Sequence, residues 1–99
     1  MGRRVGGLVI SRKPGESIQL DYPNGRIELI TVENLIRGGA VIKIDSQSYD
    51  LLIGDSVAMK GLDNSDSGVY LESVEGGRVS IRVIADDRIR ILRSELLRR

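Results

Sequence analysis

Short runs of alternating aliphatic and polar residues, cut repeatedly by turn formers, constrain this chain more than any other feature. The alternation is clean in Ile27-Glu28-Leu29, in Val79-Ser80-Ile81-Arg82-Val83 and in Ile89-Arg90-Ile91. That period of two belongs to strands with one buried face. Pro14-Gly15, Pro23-Asn24-Gly25, Gly38-Gly39, Asp63 to Gly68 and Gly76-Gly77 punctuate the runs as turns. The pattern predicts strands near 7–12, 17–21, 26–33, 40–45, 49–53, 56–60, 68–74, 78–84 and 88–92. Ser94 to Arg99 alone reads as helical, a short basic tail with Ser94 placed to cap it. Many short, evenly spaced strands predict an all-β domain of two small antiparallel sheets, a sandwich or barrel.

Ninety-nine residues make one domain with a modest core. The core must be aliphatic, since the chain has no Phe or Trp and only three Tyr. There is no Cys and no His. Disulfides, the usual zinc sites and the Ser-His and Cys-His nucleophile pairs are therefore excluded. No apolar run has the length of a membrane span. The start lacks the pattern of a signal peptide or a myristoylation site, so a cytoplasmic location is expected.

Asp63 to Gly68 resembles a calcium loop only faintly, because Val74 stands where a bidentate Glu is needed. The Gly-Gly pairs lack the Gly-Lys-Ser/Thr of a phosphate-binding loop. No carboxylate pair sits in an apolar setting suited to acid–base work. Neither enzyme activity nor a cofactor or metal is expected.

Charge is distributed unevenly. Net charge is +1, yet residues 1–13 carry +4, residues 14–77 carry −7 and residues 78–99 carry +4. A fold that joins the two ends would build one basic patch on an acidic body, the footprint of a phosphate-backbone binder. Basic residues on edge strands also serve simply to prevent sheet-to-sheet aggregation.

An internal echo recurs at about 38 residues, with Gly76-Gly77 matching Gly38-Gly39. It fits either a duplication, with halves at 7–53 and 55–99, or the ordinary monotony of a β-meander.

Leu8-Val9-Ile10-Ser11-Arg12-Lys13, followed by Gly15-Glu16, resembles the first strand of the carbon storage regulator family (CsrA, RsmA). The stretch from Val69 through Glu75-Gly76-Gly77-Arg78-Val79 to Leu96 is similar to that family's closing strands. The resemblance covers about 40 of the 99 residues. It implies an mRNA-binding translational regulator that recognises GGA in single-stranded loops and blocks initiation. Arg93 stands where the family's principal RNA-contacting Arg stands, and Ala85-Asp86 where the family has Ala-Pro.

The resemblance implies an RNA site of Ile10, Ser11, Arg12, Lys13, Ala85, Arg90, Ile91 and Arg93. Main-chain groups around Ile10, Ser11 and Ala85 would read bases, and Ile10 and Ile91 would pack on them. Arg93 would offer its planar donor fork, while Arg12, Lys13 and Arg90 would neutralise phosphates. Family members exchange strands between two chains. The extra length here therefore suggests either a single-chain pseudo-dimer or a homodimer with an insertion. On the first reading, exchange would join Ile10 to Lys13 with Ile91 to Arg93 in one complete site. Tyr49 to Ile53 would then be a fifth strand lacking its Arg. A contrasting expectation is a module or decoy of the same fold that binds a protein through its strand edges.

Overall fold

A computed structural model describes residues 7–60 and 66–93. The described residues form nine strands. They are β1 (Leu8–Arg12), β2 (Ser17–Asp21), β3 (Ile27–Ile36), β4 (Gly39–Ile44), β5 (Gln47–Leu52), β6 (Ser56–Lys60), β7 (Asp66–Glu75), β8 (Arg78–Ile84) and β9 (Arg90–Arg93). The predicted helix at 94–99 lies outside the described residues.

Every strand pair is antiparallel, in a four-stranded sheet β1-β8-β7-β6 and a five-stranded sheet β5-β4-β3-β2-β9. The architecture is therefore all-β and sandwich-like, as expected. Alternation decides which residues face the core: Ile18 and Leu20 on β2, Ile30 and Val32 on β3, and Ile81 and Val83 on β8 are all at most 1% exposed. No helix among the described residues is long and apolar enough to cross a membrane.

Four successive strands repeat along the chain with an offset of 39 residues. Ser17–Asp21 corresponds to Ser56–Lys60, Ile27–Ile36 to Asp66–Glu75, and Gly39–Ile44 to the first six residues of Arg78–Ile84. The β3–β4 register slips between Val32 and Asn34, and the β7–β8 register slips between Leu71 and Ser73, at equivalent places. The turns before β2 and β6 also match. Gly15 N donates to Val32 O at 2.7 Å, and Gly54 N donates to Leu71 O at 2.8 Å. Gly15 and Gly54 both sit at φ above +90°, where a β-carbon is costly.

This offset corrects the halves drawn at 7–53 and 55–99, and with them the period of 38. Gly38 corresponds to Gly77, so the two Gly-Gly pairs are out of step by one residue. More consequentially, β5 corresponds to β1 and is not a fifth strand of the first half. Its place is set by exchange: β1 pairs with β8, and β5 pairs with β4. The registers agree, Ile10 facing Ile81 as Tyr49 faces Ile42. Each repeat thus lends its first strand to the other.

Symmetry ends with the last strand. After β8 the chain runs through Ala85–Ile89 to β9, which pairs with β2 of the first repeat. After β4 it turns at once through Asp45-Ser46 into β5, Asp45 taking a φ of 56° that this residue type tolerates. The Asp45 carboxylate accepts the Leu29 N–H at 3.2 Å. No counterpart of β9 lies beside β6 among the described residues.

Candidate nucleic-acid interface

β1 is an edge strand of the smaller sheet, and β9 is an edge strand of the larger one. They do not pair with one another, so the expected joining of Ile10–Lys13 to Ile91–Arg93 within one sheet is corrected. The reason is the exchange itself, which spends the inner edge of β1 on β8 and that of β9 on β2. The two edges nevertheless flank one open cleft of about 440 Å³, lined by Leu8, Val83, Ala85, Asp86, Ile89 and Ile91 among others.

Along β1, alternation turns Ile10 and Arg12 inward, at 4% and 3% exposure. Arg12 Nε donates to Ser11 O at 2.8 Å and Nη1 donates to Ser17 O at 3.3 Å. Its Nε also lies 3.8 Å from Glu16 Oε1. A guanidinium committed to these carbonyls braces the β1–β2 corner; the surface position expected of a phosphate contact is not the one it occupies. Ile10 is likewise core. Both placements follow from the same alternation that made the segment a strand.

Lys13 is exposed just beyond β1, and its backbone N–H donates to Glu16 Oε1 at 2.9 Å. That hydrogen bond holds the Glu16 carboxyl below its ordinary range against a small desolvation penalty, with help from the charges of Arg12, Lys13 and Arg78. Ser11 is half-buried, and its Oγ accepts from Arg78 Nε at 3.2 Å. On this outer surface Arg82 Nε meets Glu72 Oε2 at 2.7 Å.

On the other side of the cleft, Ile91 is half-buried and packs on the core, while Arg90 is exposed and faces Asp21 in register. Arg93 faces Ile18 in register. Its side chain lies outside the described residues. Ala85 is half-buried at the start of the β8–β9 connection. The Asp86 carboxylate that follows is gripped by Arg88, with Oδ1 accepting from the backbone N–H at 3.0 Å and from Nε at 2.9 Å. Oδ2 accepts from Nη2 at 2.9 Å. This acid is therefore paired and closes the turn together with Ile89 N–H donating to Asp86 O at 2.9 Å.

Of the eight expected residues, Ala85 and Ile91 line the cleft, whereas Ile10 and Arg12 serve the core. Sequence reasoning missed Leu8 and Arg78. Leu8 shares the parity of Ile10 but is 47% exposed because it faces the cleft. Arg78 could have been found from the 39-residue offset, which puts the start of β8 beside the end of β1. Among the described residues, no group of three potential metal-binding side chains occurs.

The exchange-related corner has different chemistry. Tyr49-Asp50-Leu51-Leu52 occupies the places of Ile10-Ser11-Arg12-Lys13, and Leu52 and Ile53 are 52% and 51% exposed. No family model, curated protein or solved structure matches this chain.

Proposed function

We propose that this chain is a single-stranded-RNA-binding translational regulator, a one-chain counterpart of the strand-exchanged carbon storage regulator dimer, with one RNA site. The observation that carries this reading is the reciprocal exchange of β1 and β5, with β9 beside β2. It gathers segments from both basic ends of the sequence around one cleft. Bases of a GGA-containing loop, unstacked and presenting their edges, are read there by main-chain groups near Ser11 and Ala85. Leu8 and Ile91 supply apolar contact from the cleft walls. Lys13, Arg78 and Arg90 neutralise phosphates, and Arg93 contributes a bidentate donor pair. Arg12 and Ile10 act indirectly by fixing the strand. The shortage of aromatic residues favours edge recognition over stacking platforms. The site's location in the cytoplasm, with mRNA leaders as partners, belongs to the same proposal.

Native mass spectrometry with a short hairpin RNA presenting GGA in its loop tests the reading. One RNA per chain is expected, because Asp50 and Leu52 replace Ser11 and Lys13 at the equivalent corner. Arg93→Ala should cost about 1–3 kcal/mol of binding without unfolding the protein. Lys13→Ala should reduce the steep salt dependence by about one phosphate contact. Absence of any complex at low salt would move the reading to a protein-binding module of the same fold.

A further inference from the structure

The two outer edges that the repeats make equivalent, those of β2 and β6, are treated differently. β9 lies along β2, and beneath it Ile18 and Leu20 are 0% and 1% exposed. Their counterparts on β6, Val57 and Met59, are only half-buried, although both pack against the core. β6 thus carries inward-facing apolar side chains at an edge where, among the described residues, no strand covers them.

The backbone of β6 is ready to accept one. Leu71 N donates to Asp55 O at 3.0 Å, and Leu71 leads the β7 pairing with β6. Antiparallel alternation then turns the N–H and C=O of Val57 and Met59 toward β7. Those of Ser56, Ala58 and Lys60 face the open side. The devices that usually blunt an edge are sparse here: Ser56-Val57-Ala58-Met59 has no Pro, no charge and no bulge. Ala58 is exposed and faces Gly68 across the β6–β7 pair, so the outer surface is low at the centre of the strand.

We propose that β6 pairs antiparallel with β6 of a second copy of this chain, about a two-fold axis through Ala58. In that register Ala58 faces Ala58, Val57 faces Met59, and Ser56 faces Lys60 of the other copy. The outward-facing backbone groups bond each other, and no like charges oppose one another. The match is self-complementary, as a two-fold interface requires. The smaller sheets of two molecules join into one continuous sheet, and Val57 and Met59 gain the cover that β9 gives to Ile18 and Leu20. This pairing is independent of the RNA reading, since it uses the edge of the smaller sheet opposite β1.

Sedimentation velocity of the full chain across a concentration series tests it. The expected result is a reversible monomer–dimer equilibrium. Ala58→Pro removes an outward N–H without touching a β6–β7 bond and should shift the protein to monomer. Ala58→Lys sets two ammonium groups against each other across the axis, and should give monomer at low salt with dimer regained as salt screens them. Should the Pro variant fail to fold, the Lys variant carries the test. A wild-type protein that stays monomeric up to about 1 mM would overturn the proposal. So would a dimer that both substitutions leave unchanged.

Discussion

The chain passes the same structural point twice and leaves it by two routes. After β4, Asp45 and Ser46 turn it straight back into β5. After β8, Ala85–Ile89 carry it across to β9 on the other sheet. Upstream much is held in common: the strand order, the register slip and the turn hydrogen bonds. The difference lies in five linking residues and their internal clasp, Arg88 on Asp86. The consequence, among the described residues, is one edge covered and one edge bare, and one corner basic and one apolar. Backbone geometry is thus held in common by a few glycines, by a carboxylate that accepts the N–H three residues before it (Glu16 from Lys13, Asp55 from Leu52) and by the alternation of aliphatic residues, while surface chemistry differs.

The strongest way to break this comparison is to truncate equivalent core residues. Leu20→Ala should cost about 2–5 kcal/mol, as for a fully buried aliphatic side chain. Met59→Ala, at the uncovered edge, should cost about 1–2 kcal/mol. Urea denaturation of dilute protein measures both, and equal losses would mean that β6 is as well covered as β2.

Turn glycines give the converse test, one of sameness. A β-carbon at Gly15 or Gly54 meets nothing within 4 Å, so only the left-handed backbone resists it. Ala at either place should cost about 1–2 kcal/mol, with the two values alike. A large difference in unfolding free energy would show that one turn is held by contacts the other lacks.

Glu28 and Ser67 are equivalent and oppositely served. Glu28 is 8% exposed, and its Oε1 accepts from Tyr22 Oη at 2.5 Å while Arg26 Nη2 lies 3.3 Å from Oε2. Ser67 Oγ is buried with no hydrogen-bond partner among the described residues. Ser67→Ala should therefore be neutral or stabilising by up to about 1 kcal/mol in thermal melts, since it removes an unpaired polar atom.

The smallest effect is confined to alkaline pH. Burial, then hydrogen bonding to Glu28, pushes the Tyr22 hydroxyl from 10.0 up to about 12. A raised pKa means that the neutral phenol stabilises the fold fully below pH 10, and that this contribution disappears as pH rises through about 12. Ultraviolet titration should find one tyrosine ionising late. Tyr22→Phe should remove that phase and flatten the stability loss over the same window.

Much of the fold was legible in the sequence because strand identity is local. Alternation, glycine turns and aliphatic runs located the nine described strands to within a few residues, and an all-β sandwich or barrel followed from their spacing. The candidate site was legible only in outline: Ala85 and Ile91 line one cleft with Leu8, but Ile10 and Arg12 face the core and not that surface. A run such as Ile10-Ser11-Arg12-Lys13 displays its alternation without saying which parity is inward, and a charged residue biases the guess outward. Arg12 goes inward because Ser11 O and Ser17 O supply the acceptors that make its burial affordable.

By itself, then, the sequence determined where strands begin and end, that the core is aliphatic, and that positive charge gathers at the two ends. Only the tertiary structure decided that β5 is the second repeat's first strand, that β1 crosses to β8, and that β6 has no counterpart of β9 beside it among the described residues. The physical reason is that backbone hydrogen bonds are chemically identical from strand to strand. Partner choice is settled by which inward-facing side chains fit side by side in paired strands, as Ile10 does with Ile81 and Tyr49 with Ile42, and that fit is a property of the assembled core.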